Sequence, residues 1–217
     1  MVINYLGGEC FKVSFGDITL AFNPISKESK LKQARFGSDI VLSTLNNPDF
    51  NGADAAAFGE RQPFVVSGPG EYEIKEITVK GFASKSNYGG GDLPAGEAGH
   101  LNTIYFVTLE GMNLCFLGAL GNPDLPQEAK QELDDVDILF VPVGGDGVLD
   151  HAESYKLAVK LEPRVVIPMH YGELGNKDAL KNFLKEAGAE GTKPVDKLTL
   201  KKKDLEGKEV EVIVLES

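Results

Sequence analysis

Short apolar segments alternate with glycine-containing turns at the start of the chain, a pattern typical of β-hairpins. Gly7-Gly8 and Gly16-Asp17 separate the first three segments. These segments cover residues 2–6, 9–15 and 17–22. Strands joined by such short turns pair in antiparallel fashion. Residues 40–42 are instead a continuous apolar run, which indicates a strand that is buried on both faces.

The same order of elements occurs again in the second half of the chain. A hairpin is predicted to turn at Glu110-Gly111, and residues 150–161 have apolar positions at helical spacing. Asp150 followed by Glu153 is a capping-box pattern at the start of that helix. The other predicted elements are strands at 63–66, 71–74, 77–82, 102–109, 112–117, 137–141, 164–167 and 209–215, and helices at 126–133 and 177–187. Hairpins followed by strand–helix–strand in each half predict an α/β fold, a four-layer αββα sandwich with helices outside two packed sheets.

The composition indicates a globular protein with an acidic surface. The chain has 217 residues, of which 42% are apolar, and its formal net charge is −11. We expect one domain that spans residues 1–217. An acidic surface repels phosphate backbones and anionic lipids, so nucleic acid and membranes are disfavoured as partners.

The chain shows no signs of export or membrane insertion. It carries no signal-peptide pattern and no apolar run near the roughly 20 residues that cross a bilayer. Cys10 and Cys115 lie in apolar strand patterns, and we interpret them as buried free thiols in a reducing cytosol. We therefore expect a cytoplasmic protein.

The glycine-rich stretch at 84–99 is predicted to be irregular. A phosphate-binding loop requires a strand before it and a helix after it, but here a strand follows. We therefore interpret the stretch as a loop at the rim of the fold. The sequence also has no G-x-S-x-G elbow, no paired-cysteine metal spacing and no Walker-type loop.

Motifs spread over most of the chain carry a family resemblance. The more specific ones are VDILFVPVGG at 136–145 and VVIPMHYG at 165–172, and further ones are LGGECF at 6–11, FNP at 22–24, SGPGEY at 67–72 and LGALG at 117–121. Together they resemble the metallo-β-lactamase fold family, especially its L-ascorbate-6-phosphate lactonase-like branch. The resemblance implies metal-dependent hydrolysis, in which a loop H-x-H-x-D-H and three later residues bind two metal ions that activate a bridging water.

The family's metal-binding positions fall mostly on residues that cannot bind a metal. They correspond to Leu45, Asn47 and Ser86 for the first ion, to Asp49, Phe50 and His170 for the second, and to Ala119 for the bridging carboxylate. Asp49 and His170 are the two that retain a ligand, fewer than the three protein ligands typical of catalytic zinc. We therefore expect no metal and no other cofactor. If a metal binds, the resemblance assigns it to Asp49 and His170.

These replacements predict a non-catalytic protein, a pseudoenzyme whose remodelled cleft binds a small molecule or a partner protein. Leu45, Phe50 and Ala119 would fill the emptied space, and losing one of two facing carboxylates would relieve the repulsion on the other. No catalytic residue is assigned. Homo-oligomerisation is an expectation that rests on the family resemblance alone.

An alternative function remains open. It is a metal-dependent hydrolase of a small ester, lactone or phosphate-bearing substrate that uses an atypical single metal on Asp49 and His170, with Asn47 or water completing the shell. Structural roles are also open for both ligands. Asp49 follows Pro48 in a turn, where aspartate commonly caps backbone N–H groups, and this role is favoured over a metal or catalytic one. His170 ends a buried strand, a common place for sites in α/β sheets, but a hydrogen-bonded structural histidine is favoured there.

Overall fold

The chain folds into two β-sheets that pack face to face. The computed structural model describes residues 1–60, 62–90 and 99–217. The strands are β1 (Val2–Tyr5), β2 (Phe11–Phe15), β3 (Ile18–Phe22), β4 (Ile40–Leu42), β5 (Phe64–Val66), β6 (Gly70–Ile74), β7 (Ile77–Ser86), β8 (His100–Leu109), β9 (Met112–Phe116), β10 (Ile138–Pro142), β11 (Val165–Met169), β12 (Leu198–Thr199) and β13 (Glu211–Val212). The first sheet has the strand order β12-β1-β2-β3-β4-β5, and the second has the order β13-β11-β10-β9-β8-β7-β6.

Aromatic and aliphatic side chains from the inner faces of both sheets form the main core. Phe22 of the first sheet stacks on Phe116 of the second at a ring-centroid distance of 4.7 Å, and Phe11 meets Phe140 at 4.8 Å. All four side chains are fully buried. Each buried side chain of this size stabilises the fold by about 1.5–3 kcal/mol relative to an exposed one.

The outer faces of the two sheets are covered differently. Helices α1 (Gln127–Glu132), α2 (His151–Leu161) and α3 (Ala179–Glu186) lie on the second sheet and bury residues such as Leu157 and Phe183 against it. A thinner layer, formed by a 3-10 helix at Ala53–Ala56 and by Phe36, covers Ala21 and Val41 of the first sheet. The predicted α/β class, with two packed sheets and outer helices, is confirmed.

Local signals at the helix start behave as the sequence predicts, whereas some strand ends do not. Asp150 accepts hydrogen bonds from the backbone N–H groups of Ala152 and Glu153 at 2.9 Å, so the capping box is formed. β7 runs on to Ser86, into the stretch predicted to be irregular, because its polar end pairs with β8. Residues 91–98 of that stretch lie outside the described residues. No helix in the described ranges is both long and apolar enough to cross a membrane.

A repeated hydrogen-bond frame holds the starts of the parallel strands in both sheets. Asp39 precedes β4, and its backbone N–H donates to the carbonyl of Thr19 in β3 at 2.8 Å. Its side-chain carboxylate accepts from the backbone N–H of Thr19, also at 2.8 Å. Asp137 precedes β10 and makes the same pair of bonds with Asn113 in β9, at 2.9 and 2.8 Å. The cations beside these carboxylates are Lys75 for Asp39, and Arg164 and Lys202 for Asp137. The two halves thus share a frame that no sequence repeat reveals.

Candidate functional site

The candidate site lies where the parallel strands of the two sheets end. β3, β4 and β5 run parallel in the first sheet, as do β9, β10 and β11 in the second. The backbone N–H of Thr103 donates to the carbonyl of Thr44 at 2.8 Å, which joins the two sheets just beyond β4. Ligands of α/β sheets bind beyond the carboxyl ends of parallel strands, so this edge is the expected place for chemistry.

A fully buried chain of hydrogen bonds connects the strand ends at this edge. His170 Nδ1 lies 2.7 Å from Glu9 Oε1. The Asn23 amide donates to Glu9 Oε2 at 2.8 Å and to Thr44 Oγ1 at 2.9 Å, and it accepts from the Thr44 backbone N–H at 2.8 Å. A carboxylate accepts hydrogen bonds, so His170 donates from Nδ1 to Glu9. Glu9 therefore fixes the position of the His170 ring.

His170 sits in a backbone environment that fixes it tightly. Its φ is +60°, in the left-handed region, and its backbone N–H donates to the carbonyl of Gly8 at 2.8 Å. A Cβ atom on Gly144 would come within 2.7 Å of His170 Cδ2, so this neighbour must be glycine. Nε2 is buried and has no hydrogen-bond partner among the described residues. Such an atom in a native fold calls for an explanation, which a bound water, an ion or a role in function can supply.

Apolar side chains occupy much of the interior beside His170. Leu45, Phe50 and Ala119 belong to one buried cluster, which is completed by Val148 and Leu174. The ring centroid of Phe50 lies 6.2 Å from that of His170. The structure thus brings together three residues that the resemblance places at metal-binding positions, and they form a packed apolar contact.

Tyr88 links the remaining polar residues of the site. Its hydroxyl donates to Asp49 Oδ2 at 2.7 Å, and its ring lies edge-to-face with the His170 ring at 5.0 Å. The other carboxylate oxygen of Asp49 accepts from the Ser29 hydroxyl. Both Asp49 oxygens thus face hydroxyl groups, so the expectation that Asp49 caps backbone N–H groups is wrong. Ser86 is buried and accepts from the Tyr88 backbone N–H at 3.1 Å.

The electrostatic environment of Tyr88 is negative. Burial raises the pKa of the Tyr88 hydroxyl well above its usual value, and the hydrogen bond to Asp49 raises it further. The negative charges of Asp49, Glu9 and Asp146 act in the same direction. Three carboxylates therefore influence the same hydroxyl.

An open cleft lies over Tyr88. It has a volume of about 650 Å³ and is lined by Asn47, Asp49, Asn87, Tyr88, Gly89, Asp146 and Gly147. Both charged side chains in this lining are carboxylates. Asn47 and Asp49, which the sequence singled out, therefore line a cleft, whereas His170 lies beneath Tyr88.

Two residues of the site, Glu9 and Tyr88, were not identified as functional from the sequence. Glu9 is the one acidic residue within 2–15, and Tyr88 is the one aromatic residue within 84–99. An acidic residue next to buried positions and an aromatic residue in a glycine-rich stretch were the available signals. Neither signal identifies the hydrogen-bond partner of the residue, which lies far away in the sequence.

The described residues do not fit a dinuclear metal centre. No group of three or more His, Cys, Asp or Glu side chains that could hold a metal ion occurs within 1–60, 62–90 and 99–217. His170 Nε2 fits a single ligand position, but Asp49 already accepts from two hydroxyls. The expectation of no cofactor remains a prediction.

Comparison with known proteins places the chain in a family. The family described as "Beta-lactamase superfamily domain" matches residues 2–170. The chain belongs to the β-lactamase superfamily. This agrees with the metallo-β-lactamase resemblance of the sequence motifs, which is confirmed.

Similar proteins include curated relatives and solved structures. A "UPF0173 metal-dependent hydrolase" of Carboxydothermus hydrogenoformans is 26% identical over 196 residues, which cover 79% of this chain and 84% of that protein. A metallo-β-lactamase superfamily structure from Thermotoga maritima is 24% identical and covers 99% of this chain and 97% of its own, with a TM-score of 0.74. Igni18 from Ignicoccus hospitalis, described as a metallo hydrolase, is 18% identical and covers 99% of this chain and 94% of its own, with a TM-score of 0.64. At these identities the solved structures show the fold alone.

Proposed function

We propose that this protein is a non-catalytic member of the β-lactamase superfamily, whose cleft binds a small ligand or a partner protein without a dinuclear metal centre. The observation that carries this proposal is the contact among Leu45, Phe50 and Ala119. A metal ion needs nitrogen, oxygen or sulfur donors around it, and apolar side chains that pack on one another supply none.

The polar groups that remain in the site support the same function because they already satisfy each other. Asp49 accepts from Ser29 and Tyr88, and Glu9 accepts from Asn23 and pairs with His170. A metal ion on Asp49 would compete with Ser29 and Tyr88, each of which already donates to one of its oxygens. A lost hydrogen bond to a charged group costs about 1.5–3 kcal/mol.

A second candidate function is metal-dependent hydrolysis of a small ester, lactone or phosphate-bearing substrate. The names of the curated relatives favour this candidate over the first, since several are called metal-dependent hydrolases. The Nε2 of His170, which has no hydrogen-bond partner among the described residues, supports it. A single ion would then be held by His170 and Asp49, with Asn47 or water completing the shell.

Metal content separates the two candidates. The measurement is elemental analysis of protein purified without a chelator or histidine tag, followed by a calorimetric zinc titration of the wild type, Asp49→Ala and His170→Ala. We expect far less than one metal ion per chain, weak zinc binding, and a thermal midpoint that EDTA leaves unchanged. One ion per chain that both substitutions remove, with metal-dependent turnover of a lactone or phosphodiester, would establish the hydrolase instead.

A further inference from the structure

The edges of the two sheets differ in charge. The edge strands are β12 and β5 in the first sheet, and β13 and β6 in the second. Lys197 directly precedes β12, Glu211 lies in β13, and Glu71 and Glu73 lie in β6. Charged side chains of this kind keep an edge strand from pairing with another chain. Residues 62–70, which contain β5, have no charged side chain, although the net charge of the chain is −11.

Large apolar side chains are exposed on β5 and beside it. Phe64 and Val65 of this strand are exposed by 52% and 46%, and Phe58 is exposed by 74%. Phe58 lies near the start of β5, because its Cβ is 3.2 Å from the position of a Cβ on Gly37. Gly37 comes two residues before Asp39, whose carbonyl accepts from the Phe64 N–H. At about 150–250 Å² for a large side chain, these three leave on the order of 300 Å² of apolar surface exposed.

The size of this surface suits a contact between two copies of the chain. A two-fold contact buries the same patch on both copies, so it would cover about 600 Å² of apolar surface. Roughly 60% of an interface is apolar, so the total would be about 1,000 Å², the lower limit for a specific protein–protein contact.

The backbone of β5 can pair with a second β5 about a two-fold axis. The Phe64 N–H donates to the Asp39 carbonyl at 2.8 Å. The Val66 carbonyl accepts from the Ser43 N–H at 2.9 Å. Phe64 and Val66 thus bond towards β4, so Val65 between them directs its N–H and C=O away from the sheet. Opposite residues of an antiparallel pair exchange both bonds, so two copies of Val65 would satisfy each other.

We propose that β5 binds the β5 of a second copy of this chain in antiparallel orientation, which forms a dimer with Val65 on the two-fold axis. This register sets residue 62 opposite residue 68 of the copy, and the segment between them has no charge that would meet its like. Pro63 has no N–H to donate, which limits the pairing to a short segment. The inference goes beyond the proposed function and does not depend on it, because Phe58, Phe64 and Val65 do not line the cleft over Tyr88.

The test is sedimentation velocity of the whole chain over a range of protein concentrations, with circular dichroism to check the fold of each variant. We expect the wild type to form a dimer. Val65→Lys and Val65→Glu should each weaken it by at least about a hundredfold, because two like charges then face each other on the axis. Val159→Lys is the matched control, since Val159 is also exposed by 46% but lies on α2, and it should dimerise as the wild type does.

Mixing the two Val65 variants tests the register itself. Val65→Lys and Val65→Glu together should restore a dimer, because position 65 faces position 65 and the opposite charges attract; a variant that had failed to fold could not do this. A wild type that stays monomeric at every concentration would overturn the proposal and leave β5 to a different protein. A dimer that persists in Val65→Lys, is lost in Val159→Lys or is not restored by mixing would overturn it as well.

Discussion

Replacing Glu9 with alanine removes the acceptor at the centre of the buried polar chain. Glu9 lies in the turn between β1 and β2, and it holds Asn23 at the end of β3 and His170 at the end of β11. The side chains of Glu9, Asn23 and His170 are all completely buried. Water therefore cannot take the place of the lost carboxylate without entering the fold.

The size of the effect follows from the donors that are left behind. The substitution breaks hydrogen bonds of 2.7 and 2.8 Å, and the Asn23 amide keeps its bond to Thr44 while His170 Nδ1 loses its acceptor. A buried donor left unpaired, here His170 Nδ1, costs about 1–3 kcal/mol, and the lost hydrogen bond from Asn23 to a carboxylate costs about 1.5–3 kcal/mol. We expect a loss of about 3–5 kcal/mol in the free energy of unfolding. Glu9→Gln, which keeps the shape and one acceptor, should lose about half of that.

The assay is urea unfolding at neutral pH, followed by circular dichroism and compared with thermal unfolding. For a chain of this length each kcal/mol corresponds to about 2–4 °C, so the midpoint of Glu9→Ala should fall by about 10 °C. Glu190→Ala, at an exposed position, serves as the control and should stay within about 0.5 kcal/mol of the wild type.

A double-mutant cycle tests the cause of this loss. Glu9→Ala combined with His170→Ala should lose less than the sum of the single losses, with a coupling of at least about 1.5 kcal/mol. Additivity within about 0.5 kcal/mol, or a loss below about 1 kcal/mol in Glu9→Ala itself, would refute the reasoning that Glu9 ties the strand ends together.

Two further predictions concern packing and pH. In Gly144→Ala the new Cβ would lie 2.3 Å from the His170 carbonyl oxygen, so thermal unfolding should show a loss above about 2 kcal/mol in the free energy of unfolding. In the control Gly191→Ala the new Cβ would have no atom within 4 Å, so this free energy should change little. An unchanged midpoint for Gly144→Ala would contradict the close approach. Burial raises the pKa of the Cys10 thiol to about 12 and also raises that of Cys115. Thiols of the unfolded chain ionise near pH ~8.5, so above that pH the folded state holds more protons than the unfolded state. The free energy of unfolding should therefore fall between about pH 9 and 12, by about 1.4 kcal/mol per pH unit for each thiol. Cys115→Ala should show a shallower fall in alkaline urea titrations, and an identical slope would count against the buried thiol.

Signals that depend on a residue's own neighbours in the sequence predicted the fold well. β4 has the predicted bounds because a continuous apolar run reports burial on both faces, and the Asp150 capping box depends on residues three positions apart. The end of β7 was wrong because pairing with β8 decides it and the composition of β7 does not. Pairing partners of this kind are invisible in a single sequence.

The site was partly predictable for the same reason. The motif resemblance singled out Leu45, Phe50 and Ala119, and these side chains lie in one cluster. The partner of His170 was not predictable, because Glu9 lies 161 positions away and reaches it through the folding of both sheets. Tyr88 likewise gains its role through Asp49, 39 positions away in the sequence. The single-domain arrangement, the partners and the cytoplasmic location remain predictions.

The hydrogen bonds and ion pairs of Asp39 and Asp137, here called ties, lie at the opposite ends of their strands from the site. Each tie uses the backbone of the neighbouring strand and a cation of its own half, so neither depends on the loops that follow β4 and β10. Positions such as Leu45 and Phe50 in the loop after β4 can therefore change without breaking either set of bonds. The residues that hold the starts of the parallel strands are thus separate from the residues that line the site, so a substitution in the site leaves these hydrogen bonds and ion pairs in place.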